Sequence, residues 1–325
     1  MRISGRKAAP IIDSDPPAHR HSRLMIRLLA EMQTNAAAAG IRVFDGNLDR
    51  STIFIVIARA GGTLSALAIG DAVPDGRPAP KTITVNALAA SLSRPFETMR
   101  RHVNALIADG LVARTSRGVS VPPEVMARPE ILSLMQNHHD LLVRLIEDMA
   151  NFGVPLPSAR PHVAYDPQLG IAAAIDVLLT GLEFNAQRYD SWLELVLLAA
   201  VMCANARPFT YDRQVSLAYA DYSRLPPQSI RAPVKVSEAA RALGIPYPTA
   251  RRHAEAMLRD GRLTRVRDGL MVSDNWLSRP LILEDSNAAN EHTRQIFGRL
   301  AAGGFRFDDP ATCYIRGRPP LLAFE

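Results

Sequence analysis

The 325-residue chain contains few of the residues that build disulfide-rich, zinc-binding or aromatic-cored proteins. Cys203 and Cys313 are its two cysteines, and no CxxC motif occurs. This argues against both a disulfide framework and a zinc site. Aromatic residues make up only 6% of the chain, so the core is expected to be aliphatic and mainly helical.

Long uninterrupted apolar runs are also missing. The longest apolar stretch, Ile53–Val73, contains Arg59, Asp71 and several glycines. A membrane span needs about 20 mostly apolar residues, so this stretch predicts a buried helix and its continuation instead. Residues 1–20 are polar and basic, without the apolar block of a signal peptide, and we expect a disordered arm there. The sequence therefore predicts a cytoplasmic protein with no membrane partner.

Lysine is nearly absent as well, being limited to Lys7, Lys81 and Lys235, so 35 of the 38 basic residues are arginine. The net charge is +6. Since a guanidinium group binds phosphate in a bidentate manner, this composition favours phosphate contacts. No nucleophile elbow, phosphate loop, HExxH motif or dinucleotide fingerprint occurs. We therefore expect neither an enzyme nor a cofactor.

The chain repeats itself. Residues 85–129 align with residues 236–280 at an offset of 151 without a gap, and 16 of the 45 positions are identical. A weaker match upstream has an offset of 140 and rests on Phe44/Phe184, Ser51/Ser191 and Val56/Val196. The change of offset predicts about 11 extra residues in the second copy, near Thr210–Pro233. Internal similarity of this kind predicts two related structural units, repeat 1 at 21–157 and repeat 2 at 161–310, with a C-terminal tail at 311–325.

Each repeat predicts the same order of elements around a core at 80–129 or 231–280. A short strand leads into a short helix, for which Asn86 and Ser237 are the expected N-caps. A second helix is predicted at 95–109 and at 246–260, and hairpins with a glycine near the tip at 111–121 and at 262–272. Longer helices flank each core. This order is that of a winged helix-turn-helix, so the predicted fold is mainly α with small β wings, in two tandem copies.

The second helix of repeat 1 carries a family resemblance. The segment Thr98–Val112 (TMRRHVNALIADGLV) resembles the recognition helix of MarR-type winged-helix regulators and also that of the IclR type, which follow T-V-x-R-x-V-x-x-L-x-x-x-G-L-V. The resemblance covers about 45 residues per copy, and Arg262 in repeat 2 departs from it where repeat 1 has Leu111. It implies a DNA-binding transcription regulator whose flanking helices form a dimer interface. Two copies in one chain would form a pseudo-dimer as a monomer, or the chain would form a homodimer.

The charge distribution agrees with a double-stranded DNA partner. Residues 80–121 carry a formal charge of +4 and residues 231–272 carry +5, whereas the whole chain carries +6. Positive charge is therefore concentrated in the two predicted cores. The second helices are expected in the major groove and the hairpin tips near a minor groove. The candidate DNA-binding residues are Arg94, Phe96, Glu97, Thr98, Arg100, Arg101, Arg114, Arg117, Tyr247, Thr249, Arg251, Arg252, Arg265 and Arg267.

Two alternatives stay open at this point. Phe96 and Tyr247 are compatible with a tandem winged-helix module that binds proteins, as in replication initiation or chromosome segregation. A small-molecule pocket between the flanking helices is compatible with DNA binding, although the sequence identifies no effector. His102 and His253 are expected to be half-buried structural residues, and adjacent histidines at His138-His139 do not predict a metal site, because neighbouring helix residues face different directions.

Overall fold

A computed structural model of the chain describes residues 21–67, 81–160, 162–184, 189 and 191–325. This part of the chain is mainly helical and has two small antiparallel sheets, which confirms the predicted secondary-structure class. The predicted basic arm at residues 1–20 and the turn-rich segment at residues 74–80 lie outside the described residues.

The described part of the first half contains six α-helices and one hairpin. In chain order the elements are α1 (Ser22–Val43), α2 (Leu48–Gly61), α3 (Val85–Ser91), α4 (Phe96–Ala108), β1 (Ala113–Thr115), β2 (Gly118–Ser120), α5 (Pro123–Met126) and α6 (Pro129–Asn151).

The second half has the same order of elements with one additional short helix. The elements are α7 (Pro167–Glu183), α8 (Trp192–Thr210), α9 (Arg213–Ala218), α10 (Val236–Leu243), α11 (Tyr247–Arg259), β3 (Leu263–Val266), β4 (Gly269–Val272), α12 (Asp274–Leu277) and α13 (Pro280–Ala302). The helices α4 and α11 each begin one residue after, and end one residue before, the bounds expected from the sequence.

Equivalent backbone hydrogen bonds fix how α2 corresponds to α8. The Lys81 N–H donates to the Gly61 carbonyl at 3.0 Å, and the Ala232 N–H donates to the Asn205 carbonyl at 3.2 Å. Gly61 therefore corresponds to Asn205, an offset of 144, and the expected offset of 140 is wrong. The second copy has seven extra residues rather than 11, because residues 206–231 replace residues 62–80. The additional helix α9 lies in this insertion, inside the region where extra residues were expected.

The helices α3 and α10 begin two residues earlier than expected. The Thr84 hydroxyl accepts a hydrogen bond from the Ala87 N–H at 3.1 Å, so Thr84, and not Asn86, caps α3. At the start of α10 the Glu238 carboxylate accepts from the Lys235 N–H at 2.9 Å. In both cases the residue before the cap bridges to the hairpin, so the cap residue, Thr84 or Lys235, is extended and the helix starts directly after it.

Each hairpin is tight and contacts a third segment of the chain through a single bridge. The pairs Thr115–Gly118 and Val266–Gly269 close two-residue loops, and single bridges join Ile83 to Val119 and Val234 to Leu270. Gly118 and Gly269 have φ of +142° and +151°, and an added Cβ would lie 2.5 Å from the carbonyl oxygens of Ile83 and Val234. Glycine is thus required at both positions for two reasons: the turn itself, and the close approach of the backbone at Ile83 and Val234.

The two halves share their core, which consists of two buried clusters that each contain residues of both halves. The helix α1 packs against α6 in its own half and against α8 and α13 in the other, and α7 likewise packs against both α6 and α13. Leu24, Leu142, Val177 and Phe297, one from each of α1, α6, α7 and α13, belong to one buried cluster. Each such side chain contributes about 1.5–3 kcal/mol to folding. Among the described residues α8 alone is long and apolar enough to cross a membrane, and 67% of its most apolar window is buried inside the protein.

The C-terminal residues Tyr314–Glu325, which we call the strap, lie along the surface of the helices. The Ile315 and Arg316 N–H groups both donate to the Asp140 carboxylate at 2.8 Å. Farther along, Asn35 on α1 donates to the Pro320 carbonyl at 2.9 Å and Arg207 on α8 to the Leu322 carbonyl at 3.1 Å. The strap therefore connects α6, α1 and α8.

We expect His138 to make folding stability depend on pH. This side chain on α6 is buried, its Nε2 lies 3.3 Å from the Ala36 carbonyl, and burial lowers its pKa from 6.5 to about 4. Between these values the unfolded chain binds a proton that the folded chain does not. The free energy of unfolding should therefore decrease as the pH falls from 6.5 towards 4, by up to about 3 kcal/mol. Urea unfolding at pH 7 and pH 4.5 measures this loss.

The matched variant is His138→Gln, which cannot take up a proton. We expect it to lose less stability than the wild-type protein between the two pH values. An equal loss in both proteins would show that other groups cause the pH dependence.

Candidate nucleic-acid interface

The helix α4 has one buried face and one exposed face. Met99, Val103 and Leu106 pack into the core with at most 1% of their surface exposed. Arg100 and Arg101 are exposed on the other side, as the apolar spacing predicts.

The helix α11 repeats this arrangement. Its buried residues are Ala250, Ala254 and Met257, and its exposed arginines are Arg251 and Arg252. The two helices thus present the same pair of guanidinium groups at equivalent positions, one pair in each half of the protein.

The hairpins add basic residues next to these helices. Arg114 on β1 donates to Asn104 on the exposed side of α4 at 2.7 Å, so the hairpin and the helix form one continuous surface. Arg265 occupies the equivalent place on β3. Arg117 and Arg267 lie in the two-residue loops of their hairpins and are exposed. We call these eight exposed arginines, Arg100, Arg101, Arg114, Arg117, Arg251, Arg252, Arg265 and Arg267, the arginine surface.

The first arginine of each pair is held by a different carboxylate. The Arg100 guanidinium donates to Glu97, one turn towards the start of α4, at 2.9 Å. The equivalent Arg251 donates instead to Glu255, one turn towards the end of α11, at 2.7 Å. This contact raises the pKa of Arg251 and lowers the pKa of Glu255. The two guanidinium groups therefore point in opposite directions along otherwise similar helices.

The remaining helix residues predicted from the sequence also lie at or near this surface. Phe96 and Tyr247 are the first residues of α4 and α11, and 43% and 48% of their surfaces are exposed. Thr98 and Thr249, the third residues of the two helices, are half-buried.

Arg94 is a correction to the predicted set. Its guanidinium lies over the Trp192 ring at 4.9 Å and donates to the Tyr189 carbonyl at 3.4 Å. Both contacts are in the second half of the chain, Trp192 being the first residue of α8 and Tyr189 preceding that helix. The side chain therefore joins the α3–α4 turn to the other repeat and does not belong to the arginine surface. The sequence shows only that Arg94 lies in a predicted turn. This does not distinguish an arginine on the exposed surface from one that contacts the other repeat.

Arg262, the departure from the family pattern, is also structural. It is buried, it contacts Glu194 on α8 at 2.8 Å and Asp260 at 2.5 Å, and it lies over the Tyr189 ring at 5.3 Å. Arg231 is likewise buried and lies 2.8 Å from Asp274. The positive charge counted over residues 231–272 therefore includes two arginines that are neutralised inside the fold.

The histidines agree with a structural role. His102 and His253 are half-buried at equivalent positions, and burial holds the pKa of each below its usual value. His139 is buried, with its Nδ1 2.8 Å from Asp140 and its Nε2 2.8 Å from the Tyr165 hydroxyl. No group of three or more His, Cys, Asp or Glu side chains suited to a metal ion occurs among the residues that the structure describes.

The contacts of Arg262 predict a large difference between this residue, which directly precedes β3, and Arg265 on β3. Replacing Arg262 with methionine leaves Glu194 buried without its partner, and we expect the free energy of unfolding to fall by about 3 kcal/mol. Arg265→Met, on the exposed side of β3, should change it by only about 0.5 kcal/mol. Urea unfolding of both variants measures the difference, and similar values would contradict the structural assignment of Arg262.

Comparison with protein-family models, curated protein sequences and solved structures gives no match.

Proposed function

We propose that the protein binds double-stranded DNA sequence-specifically and regulates transcription, with α4 and α11 as recognition helices in the major groove. Each core would then act as a winged helix-turn-helix, with the hairpins as wings. The expected partner is duplex DNA, bound by one chain that acts as a pseudo-dimer.

The observation that carries this proposal is the pattern of identity between α4 and α11. All three of their buried positions differ, with Met99, Val103 and Leu106 replaced by Ala250, Ala254 and Met257. The exposed arginines at positions 100 and 101 recur unchanged at positions 251 and 252. Folding alone constrains buried residues more than exposed ones. The exposed identity therefore points to a ligand with which both helices make the same contacts.

The chemistry of the arginine surface fits DNA. Guanidinium groups form bidentate hydrogen bonds to guanine O6 and N7 and to phosphate oxygens. Arg100, Arg101 and their equivalents are exposed, which such contacts require, and Arg117 and Arg267 in the exposed hairpin loops would suit an adjoining minor groove or phosphate. The hydroxyls of Thr98 and Thr249, near the helix starts, suit phosphate or base contacts.

The packing of the two halves supports a pseudo-dimer. Helix-turn-helix dimers bind half-sites about 34 Å apart, one turn of DNA, and their interface fixes that spacing. Here α1, α6, α7 and α13 pack across the two halves and provide a comparable interface within one chain.

A second candidate function is protein binding by the same surface. The exposed Phe96 and Tyr247 favour it, because aromatic side chains are common at the centres of protein interfaces. The surrounding arginines favour DNA, since a recognition helix for protein would present a more apolar face.

We expect duplex DNA binding that weakens strongly with salt. If about six phosphates are contacted, the logarithm of the affinity should fall with the logarithm of salt concentration at a slope near −5. Arg100→Ala with Arg101→Ala, or Arg251→Ala with Arg252→Ala, should abolish specific binding without changing the melting temperature, since these residues are exposed. Fluorescence anisotropy with genomic duplex fragments, together with thermal unfolding, measures both quantities.

The matched control removes the same charge elsewhere. Arg299→Ala with Arg306→Ala replaces two exposed arginines away from α4 and α11 and should keep binding. Failure of the wild-type protein to bind any duplex at low salt would overturn the proposal. A lower melting temperature of the paired variants would show that those arginines stabilise the fold.

The two halves should prefer different half-sites. Glu97 is exposed on α4 and can accept a hydrogen bond from the cytosine amino group, whereas its equivalent on α11 is Pro248. We therefore expect an imperfect palindrome, bound by one chain. Selection from a random pool of duplexes, followed by mass measurement of the complex, tests this. A symmetric consensus bound by two chains would mean that each chain contributes one recognition helix.

A further inference from the structure

A cavity of about 180 Å³ lies between the two halves of the protein, bounded by α1, α2, α7, α8 and α13. Its lining is mostly apolar and includes Ile26, Leu29, Leu182 and Met202. The side chains of Asp285 and Ser286 line the end formed by α13.

Comparison of α6 with α13 gives the origin of this cavity. Both helices have 23 residues and begin with proline at positions related by the repeat offset of 151. On α6 the inward-facing residues are large: Leu134, Met135 and His138 are at most 3% exposed. At the equivalent positions α13 has Asp285, Ser286 and Ala289.

These three differences change both volume and polarity on the same side of the helix. Each of the α13 residues is smaller or more polar than its equivalent on α6, and all three line the cavity. They are half-buried, whereas the residues on α6 are buried. The helix α6 is thus fully packed on this side, whereas the equivalent side of α13 leaves unfilled space. Unfilled space of this kind usually costs stability, which gives a reason to expect an occupant.

We propose that this cavity is a binding site for a small, mostly apolar molecule that carries one hydrogen-bond donor, such as a hydroxyl or amino group. The apolar walls would contact the body of the molecule, and the Asp285 carboxylate would accept its donor. This site is separate from the arginine surface and does not depend on DNA binding.

The size of the cavity limits the ligand. An apolar cavity of about 150 Å³ holds benzene. A cavity of about 180 Å³ suits one ring with a short alkyl chain. A second space of about 100 Å³ adjoins it and shares Ile26, Met202 and Ile282, so a longer chain has room in that direction.

The test uses 4-propylphenol as the probe and propylbenzene, which lacks the donor, as its comparison. We expect 4-propylphenol to raise the melting temperature of the wild-type protein in a saturable manner and to bind at least tenfold more tightly than propylbenzene by calorimetry. Asp285→Leu with Ser286→Met restores the residues of α6. This variant should have a higher melting temperature without ligand, and its affinity for the probe should fall at least tenfold.

Two further variants keep the test decisive. Glu284→Leu adds the same apolar group on the exposed side of α13 and should bind the probe like the wild-type protein. Ala289→Leu fills the cavity without changing a polar group, and it should also lose binding of the probe. This variant replaces the double variant in the test if the double variant fails to fold. Equal probe affinity in the cavity-filling variants and the wild-type protein, or no binding by the wild-type protein, would overturn the proposal. Because none of these measurements uses DNA, their failure leaves the DNA-binding proposal untouched.

Discussion

The packing of α1 against α8 holds the two repeats together. α1 belongs to the first half and α8 to the second, so neither half buries its apolar surface alone. The start of α8 also contacts both predicted recognition units, since Trp192 lies under Arg94 of the α3–α4 turn and Glu194 pairs with Arg262 at the start of β3. The relative position of α4 and α11 therefore depends on one helix terminus, whose burial fixes it within a shared core.

Arginine has two separate uses in this fold. Arg94, Arg231 and Arg262 are held inside by carboxylates, carbonyls or aromatic rings, whereas the arginine surface faces outwards on α4, α11 and the hairpins. A guanidinium group suits both uses because it stacks on rings and donates up to five hydrogen bonds in fixed directions. Composition and charge counts do not distinguish the buried arginines from those of the arginine surface. The position of each side chain in the fold decides which of them can bind a ligand.

The sequence predicts local structure here better than it predicts contacts between repeats. The bounds of α4 and α11 follow from apolar spacing and from the prolines and glycines at their ends, which are local signals. The helix-cap prediction failed at Asn86, because the bridge at Ile83 decides where α3 starts. The inward position of Arg94 depends on Trp192, which lies nearly 100 residues away in sequence. The predicted offset of 140 is wrong for a similar reason. It rested on a few residue identities, whereas the correspondence of Gly61 with Asn205 depends on backbone hydrogen bonds to residues distant in sequence.

The two flanking helices α6 and α13 occupy equivalent positions in the repeats but have different roles in the structure. Asp140 on α6 binds the backbone of the strap, and the residues before it fill the core. The equivalent residue on α13 is the exposed Glu291, and the residues before it leave a cavity. A homodimer would carry the same helix on both sides and could not separate these roles. With both copies in one chain, α6 packs fully into the core while α13 leaves space next to Val272, Trp276 and Leu277, at the end of the second hairpin. An occupant of that space would contact helices of both halves, but of the two hairpins it would contact only the second one.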